Sequence, residues 1–92
     1  MKREQVTNYY SGRVQGIGFR YRVKDVASGF EVTGMIRNLS DGRVELNAQG
    51  TRAELEEFLQ AIRDSEVGRF IRQEQTVWEQ TNNQFLGFEI RS

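Results

Sequence analysis

The sequence contains no cysteine, no histidine and no proline. The first two absences exclude disulfides, thiolate nucleophiles, phosphohistidine chemistry and zinc sites of the Cys/His type. Any catalysis must therefore use carboxylates, hydroxyls, amides, guanidinium groups or the backbone. Without proline no rigid linker divides the chain, and its 92 residues suffice for one domain, which we expect to span residues 1–92.

Long apolar runs are also missing, since no stretch comes near the roughly 20 residues that a membrane-spanning helix needs. Residues 1–5 are polar and lead into a strand-like segment rather than a signal-peptide core. With 37% hydrophobic and 28% charged residues, the composition is that of a folded globular domain rather than a disordered chain. We therefore expect a cytoplasmic monomer with no membrane partner.

The formal net charge is zero, but charge is unevenly spread along the chain. Residues 13–43 contain six basic and three acidic side chains, and the rest of the chain carries the compensating negative excess. A neutral chain with one locally positive stretch suits a small anion better than a long nucleic acid. We accordingly expect a small-molecule ligand and no nucleic-acid partner.

Two segments have the apolar periodicity of amphipathic helices. The first begins at Phe19, and Gly29 is placed to end it as a C-terminal cap. The second begins with a capping box formed by Thr51 and Glu54 and continues to about Asp64.

Five further segments have the composition or alternation of β-strands. Gly50 is expected to end the third of them, while Asp41-Gly42 and Asn82-Asn83 provide tight turns. The predicted strands are 6–14, 30–39, 43–49, 70–78 and 85–91.

The predicted element order is β-α-β-β-α-β followed by one more strand. Two amphipathic helices and half-exposed strands in this order indicate an α+β fold, the ferredoxin-like split βαβ sandwich. We expect an antiparallel sheet with both helices on one face.

The most unusual stretch is Gly12–Arg20, which joins the first strand to the first helix with three glycines. Glycine permits conformations in which successive N–H groups converge on an anion, with a helix N-terminus behind them. Arg20 lies in the first helical turn, where a cation is unfavourable unless an anion binds beside it. An exposed helix arginine after a flexible loop is an equally simple interpretation. The stretch lacks the Gly-Lys-Ser/Thr of a nucleotide-binding P-loop.

The predicted topology brings a second polar residue to the same edge of the sheet. In a split βαβ unit, the strands flanking the first helix are parallel and end at the same edge, roughly 10 Å apart. The second of these strands ends near Asn38, whose amide could therefore reach a ligand in the loop. Alternatively, Asn38 simply begins the turn that follows it, where asparagine is favoured.

The sequence resembles the acylphosphatase family over essentially its whole length. Gly12–Arg20 is similar to the family's first signature, with Ile17 where valine is usual. Gly34-Met-Ile-Arg-Asn38, together with the later Gly42-Arg-Val44 and Gly50, resembles the family's second signature. The last strands, with Trp78 and Phe85–Arg91, also look like those of the family.

The resemblance implies an enzyme that hydrolyses acyl phosphates to a carboxylate and inorganic phosphate, with no metal, no cofactor and no covalent intermediate. It implies that Arg20 holds the phosphoryl oxygens and that Asn38 orients the attacking water, as the two catalytic residues. Backbone N–H groups of the loop would complete the phosphate site. Those loop residues are Gln15, Gly16, Ile17, Gly18, Phe19 and Arg20.

Three positions depart from the family pattern. Met35 replaces the usual aromatic residue, Ile36 is bulkier than the usual alanine or valine, and Asn8 falls where the first strand is commonly apolar. Met35 and Ile36 are close to Asn38 in sequence, so we expect them to affect the placement of that residue.

Two other functions remain open from the residues themselves. One is a non-catalytic module of the same fold that binds phosphate or another anion. The other is a single-stranded RNA binder, since Gly16–Arg20 faintly resembles an RNA-recognition consensus. That consensus belongs on a strand, whereas this string precedes a helix, and the zero net charge also disfavours RNA binding.

Overall fold

The computed structural model describes residues 2–81 and 84–92. Within these residues its five strands and two α-helices follow the predicted order, and a short 3-10 helix that was not predicted lies before the fourth strand. The predicted turn at Asn82-Asn83 lies outside the described residues. The elements are β1 (Arg3–Gly12), α1 (Phe19–Ala27), β2 (Thr33–Asn38), β3 (Val44–Thr51), α2 (Arg52–Asp64), the 3-10 helix Gly68–Phe70, β4 (Ile71–Gln80) and β5 (Phe88–Arg91).

The strands form one sheet in the order β4-β1-β3-β2-β5. β3 lies between β1 and β2 and is antiparallel to both, so β1 and β2 run parallel with one strand inserted between them. This is the predicted split βαβ arrangement, and the α+β fold class is confirmed. The sheet is mixed rather than wholly antiparallel, because β5 pairs with β2 in the parallel direction.

One face of the sheet packs against the two helices and forms the core. Alternate residues of each strand point to this face, as the two-residue period of a strand requires. The core is consolidated by aromatic contacts: the rings of Tyr10 and Phe19 lie 5.1 Å apart, and Phe58 lies between Phe30 and Phe88. The other core residues include Val6, Val23, Ile36, Val44, Leu46, Ala48, Leu55, Leu59 and Ile62. No helix within residues 2–81 and 84–92 has the length and apolar character needed to cross a membrane.

Two predictions about glycine were wrong. α1 ends at Ala27 rather than at a cap formed by Gly29, because Ser28 and Gly29 continue as a tight turn with N–H bonds to Asp25 and Val26. β3 is not broken at Gly50 but continues to Thr51. A side chain at Gly50 would come within 3.0 Å of a neighbouring backbone oxygen, so glycine here permits a close approach rather than a turn.

The other element boundaries shift by a few residues. β1 starts earlier than predicted and ends at Gly12, where a bulge changes the register with β4. β2 is shorter than predicted, and β4 extends to Gln80. The predicted cap of α2 is confirmed, since the Thr51 hydroxyl accepts a hydrogen bond of 3.3 Å from the Glu54 N–H.

Asn8, the unexpected polar residue of β1, is fully buried on the helix-facing side of the sheet. Its amide nitrogen donates to Glu74 at 2.9 Å, and its amide oxygen accepts from the Thr76 hydroxyl. Arg63 of α2 then binds Glu74 through two contacts of 2.8 and 3.0 Å. We call these four residues the Asn8 cluster; they join β1, β4 and α2. The adjacent Tyr10 has a raised pKa, mainly because it is buried.

Candidate phosphate-binding site

The anion loop, residues 15–20, begins just beyond β1 and ends in the first turn of α1. Gly16 and Gly18 have φ angles of 78° and 80°, in the left-handed region that favours glycine. The backbone N–H groups of residues 15–18 donate no hydrogen bond to any described residue. The loop therefore offers backbone donors that a bound anion could use.

The start of α1 adds further backbone donors and a partial positive charge beside the loop. Gly18 is the N-cap residue, no side chain caps the helix, and its first turn has no acidic residue. The first N–H groups of a helix have no partner within it and carry partial positive charge, so they favour an anion nearby. Phe19 anchors this end, since its side chain is buried against Tyr10.

The Arg20 side chain is available to a ligand. Its only hydrogen bond to a described residue is a long one, 3.4 Å from Nη1 to the carbonyl oxygen of Arg91, and it forms no ion pair with the described carboxylates. By contrast, Arg22 on the same helix pairs with both Asp25 and Glu66. The Arg20 guanidinium thus keeps most of its donors for an anion such as phosphate, whose oxygens match its planar geometry.

Asn38 is the last residue of β2. Its amide oxygen is buried and accepts no hydrogen bond from the described residues. A buried polar atom without a partner is costly, and such atoms are expected where a ligand or water binds.

The two unusual neighbours of Asn38 do not share one role. Along β2, Ile36 lies on the helix-facing side with Asn38, and its side chain is fully buried in the core. Met35 points to the opposite face of the sheet, where its register partners are Asn47 and Glu89. Because adjacent strand residues face opposite sides of the sheet, the Met35 side chain lies away from that of Asn38, and the expected effect of Met35 on Asn38 stays a prediction.

One cavity of about 230 Å³ brings the two predicted side chains together with the anion loop. Arg20 comes from α1 and Asn38 from β2, and the parallel arrangement of β1 and β2 brings these two elements to the same end of the sheet. The cavity is lined by Val14, Gly16, Gly18, Phe19, Arg20, Tyr21 and Asn38.

Two other loop residues are directed away from this cavity. The Gln15 side chain turns toward the β2–β3 turn, residues 39–43. Ile17 lines a wider groove on the far side of Gly18 and Tyr21, together with Phe70. These two residues could therefore contact an anion in the loop only through their backbone N–H groups.

Sequence reasoning missed two side chains at this site. Tyr21 lines both the cavity and the groove and is 70% exposed, although it lies outside the aromatic core pattern. For Gln15, the sequence predicted a role only for the backbone N–H and not for the side-chain amide. The available sequence signal for Tyr21 was an aromatic residue directly after Arg20. Nothing in the sequence predicts the Gln15 contacts. Within residues 2–81 and 84–92 no group of three or more His, Cys, Asp or Glu could hold a metal ion.

The fold is an α+β sandwich with a glycine-rich loop between its first strand and first helix, and this loop is the candidate anion site. Comparison with known proteins identifies the family. The acylphosphatase family model matches residues 6–90, nearly the whole chain. The chain therefore belongs to the acylphosphatase family.

Individual relatives agree with the family model. An acylphosphatase of Methanospirillum hungatei is 47% identical over 65 residues, which cover 71% of each chain. An acylphosphatase of Thermobifida fusca is 34% identical over 91 residues, covering 99% of this chain and all of the relative. Among solved structures, the crystal structure of acylphosphatase from Bacillus subtilis superposes with a TM-score of 0.88 at 29% identity, covering 97% of this chain and 99% of that one.

Proposed function

We propose that this protein hydrolyses acyl phosphates to a carboxylate and inorganic phosphate. The observation that carries the proposal is the cavity shared by the anion loop, Arg20 and Asn38. Neither the N–H groups of residues 15–18 nor the Asn38 amide oxygen has a partner among the described residues. The family membership supports the same reaction.

Each group has a distinct role in the proposal. The backbone N–H groups of residues 15–20 and the Arg20 guanidinium bind the phosphoryl oxygens and stabilise the charge that they carry in the transition state. Asn38 accepts a hydrogen bond from the attacking water through its unpartnered oxygen and so directs the water toward phosphorus. The cavity thereby positions both reactants.

The proposed reaction needs no covalent enzyme intermediate. Water attacks phosphorus, a new P–O bond forms, and the bond between phosphorus and the acyl oxygen breaks in line with it. The carboxylate leaves with the bonding electron pair, and because it is a weak base it departs without being protonated. The proton lost by water ends on the phosphate or in solvent. Positioning and charge stabilisation suffice for such a loose transition state, so the absence of histidine is no obstacle.

The test is hydrolysis of benzoyl phosphate by the wild-type protein and by Arg20→Ala. Loss of one preorganised donor to the transition state typically lowers kcat by about 10²–10³-fold, and we expect at least that loss. Arg52→Ala is the matched control, since Arg52 lies on α2 and pairs with Glu4 and the Trp78 ring, away from the cavity. Its turnover should equal that of wild type.

The main alternative is a non-catalytic module that binds phosphate in the same loop. A wild-type protein that binds inorganic phosphate but releases none from benzoyl phosphate would establish this alternative and reject the hydrolase. Near-normal turnover by Arg20→Ala would reject the assigned site. We further propose that the protein acts as a monomer in the cytoplasm, which its elution volume and cell fractionation would test.

A further inference from the structure

The side chain of Gln15 connects the anion loop to the β2–β3 turn. Its amide nitrogen donates two hydrogen bonds of 2.9 Å each, to the carbonyl oxygens of Leu39 and Arg43. These two residues begin and end the turn, and Leu39 directly follows Asn38. One side chain therefore joins the loop that binds the phosphoryl group to the segment that carries the proposed water-orienting residue.

The turn is itself a closed unit. The Leu39 N–H donates to the Arg43 carbonyl at 2.8 Å, and the Gly42 N–H donates to the Leu39 carbonyl at 3.2 Å. Because the Gln15 amide binds both carbonyls that organise this turn, a shift of the loop would be transmitted to the turn as a whole.

The sheet fixes the backbone of Asn38 relative to β1, since Val44 of β3 is the register partner of both Asn38 and Tyr10. This pairing does not extend into the loop, which begins beyond the end of β1. β1 and β2 are not neighbours in the sheet, since β3 lies between them. The backbone N–H groups of residues 15–18 bind no described residue, and the Asn38 amide oxygen accepts no hydrogen bond from one. Gln15 thus provides the direct side-chain connection across the end of β3.

The chemistry of this contact requires an amide. Two carbonyl oxygens need two N–H donors, which the glutamine amide nitrogen supplies. A glutamate at this position would set a carboxylate against two carbonyl oxygens, and a methionine of similar shape would donate nothing. Both substitutions should therefore release the turn from the loop without altering the loop backbone.

We propose that Gln15 is a positioning residue, whose side chain sets the distance between the phosphoryl group in the anion loop and the water held by Asn38. This inference rests on the proposed function. Misplacing reacting groups by about 1 Å can lower a rate by about 10²-fold, whereas binding of the phosphoryl group depends on the loop and Arg20 alone. The amide is at the protein surface, so the contact should matter more for alignment than for folding.

The test compares wild type, Gln15→Met and Gln15→Glu with benzoyl phosphate as substrate and inorganic phosphate as inhibitor. For Gln15→Met we expect kcat to fall about 10- to 100-fold. The inhibition constant for phosphate should stay within about threefold, because the loop N–H groups and Arg20 are unchanged. Gln15→Glu should lower kcat at least as much. Gln73→Met is the matched control, an exposed glutamine on β4 that should have wild-type kcat.

A double-mutant cycle with Asn38→Ala separates positioning from a structural effect. If Gln15 acts through Asn38, then Gln15→Met should change kcat by less than about threefold once Asn38 is already alanine, because coupled residues are not additive. A general loosening of the fold would instead add its full effect in both backgrounds.

The outcomes distinguish the two proposals. If wild type does not hydrolyse benzoyl phosphate, the proposed function is wrong and this inference fails with it. If wild type is active but Gln15→Met keeps kcat within about twofold, or if its effect adds fully to that of Asn38→Ala, only the positioning role is overturned. Parallel loss of kcat and of phosphate inhibition in Gln15→Met would also overturn it, since that pattern indicates a damaged loop.

Discussion

Two polar clusters in this protein use similar residues in opposite ways. In the Asn8 cluster, both ends of the Asn8 amide are paired and Arg63 binds Glu74 through two contacts. At the site, the Asn38 amide oxygen has no partner among the described residues, and Arg20 makes only one long hydrogen bond there. Asn8 and Arg63 are thus satisfied within the protein, whereas Asn38 and Arg20 have few partners among the described residues.

The contrast between the two clusters concerns which buried polar groups have partners. Buried polar groups that find partners contribute a modest net stabilisation, whereas buried groups without partners cost free energy in the unliganded protein. In the proposed function, a bound ligand would supply the missing partners at the site. Substitutions in the two clusters should therefore separate activity from stability.

Substitution of Asn38 at the candidate site should change activity most. Asn38→Ala should lower kcat for benzoyl phosphate by about 10²–10³-fold, because it removes the group that we propose orients the attacking water. Its urea unfolding midpoint should not fall, since the Asn38 amide oxygen stabilises nothing in the described structure. A protein that loses stability in proportion to its activity would contradict this reading of Asn38.

The matched substitution in the other cluster should have the opposite profile. Asn8→Ala leaves Glu74 and Thr76 without their buried partner, which typically costs about 1–3 kcal/mol in the free energy of unfolding. Its kcat should remain within about twofold of wild type, because the cluster lies between β1, β4 and α2. Urea denaturation and the benzoyl phosphate assay measure the two quantities, and an inactive but stable Asn8→Ala would remove the distinction.

A smaller effect is expected in the anion loop itself. Gly18→Ala meets no steric obstacle, but it forces a non-glycine residue to the φ angle of 80°. That conformation costs roughly 1–2 kcal/mol, so we expect a lower unfolding free energy together with weaker inhibition by phosphate. Gly87→Ala is the control, since its side chain also enters open space and its φ is not positive. Equal behaviour of the two variants would show that the loop does not need its left-handed geometry.

The smallest effect concerns pH and the β2–β3 turn. The pKa of Asp41 is lowered from its ordinary value of 3.8, first by the Arg43 backbone N–H and then by the Arg43 side chain. A lowered pKa in the folded state means that the stabilisation is present above pH 3.8 and is lost as pH falls through the folded value. Unfolding measured between about pH 2 and 5 should show the difference between wild type and Asp41→Asn shrinking with acid. A difference that does not change with pH would exclude a contribution from Asp41 ionisation. The difference in unfolding free energy between the two proteins should be small, because Asp41 is exposed.

Much of the fold followed from local patterns. The helix beginning at Phe19, the capped helix from Thr51 and the order of the strands depend on side-chain periodicity and capping, which are local properties. Gly29 and Gly50 were misread because a glycine can mark a turn or a close approach, and only the position of neighbouring backbone decides which. The parallel pairing of β5 likewise depends on how the chain returns across the sheet.

The site divides in the same manner. Arg20 could be singled out from the sequence because its position beside a glycine-rich loop is unfavourable without an anion, and its place in the cavity agrees with that argument. The Gln15 contacts could not be predicted, since they join residues more than twenty positions apart across an intervening strand.

Cysteine and histidine chemistry could be excluded from the sequence, which also predicted the amphipathic elements and the glycine-rich loop before a helix. Three features required the folded chain: Asn8 has hydrogen-bond partners while the Asn38 amide oxygen has none among the described residues, Met35 faces away from the site, and Gln15 joins the loop to the turn. The physical reason is that composition and periodicity are carried by neighbouring residues. The pairing of a polar group instead depends on which distant atoms the folded chain brings within hydrogen-bond distance.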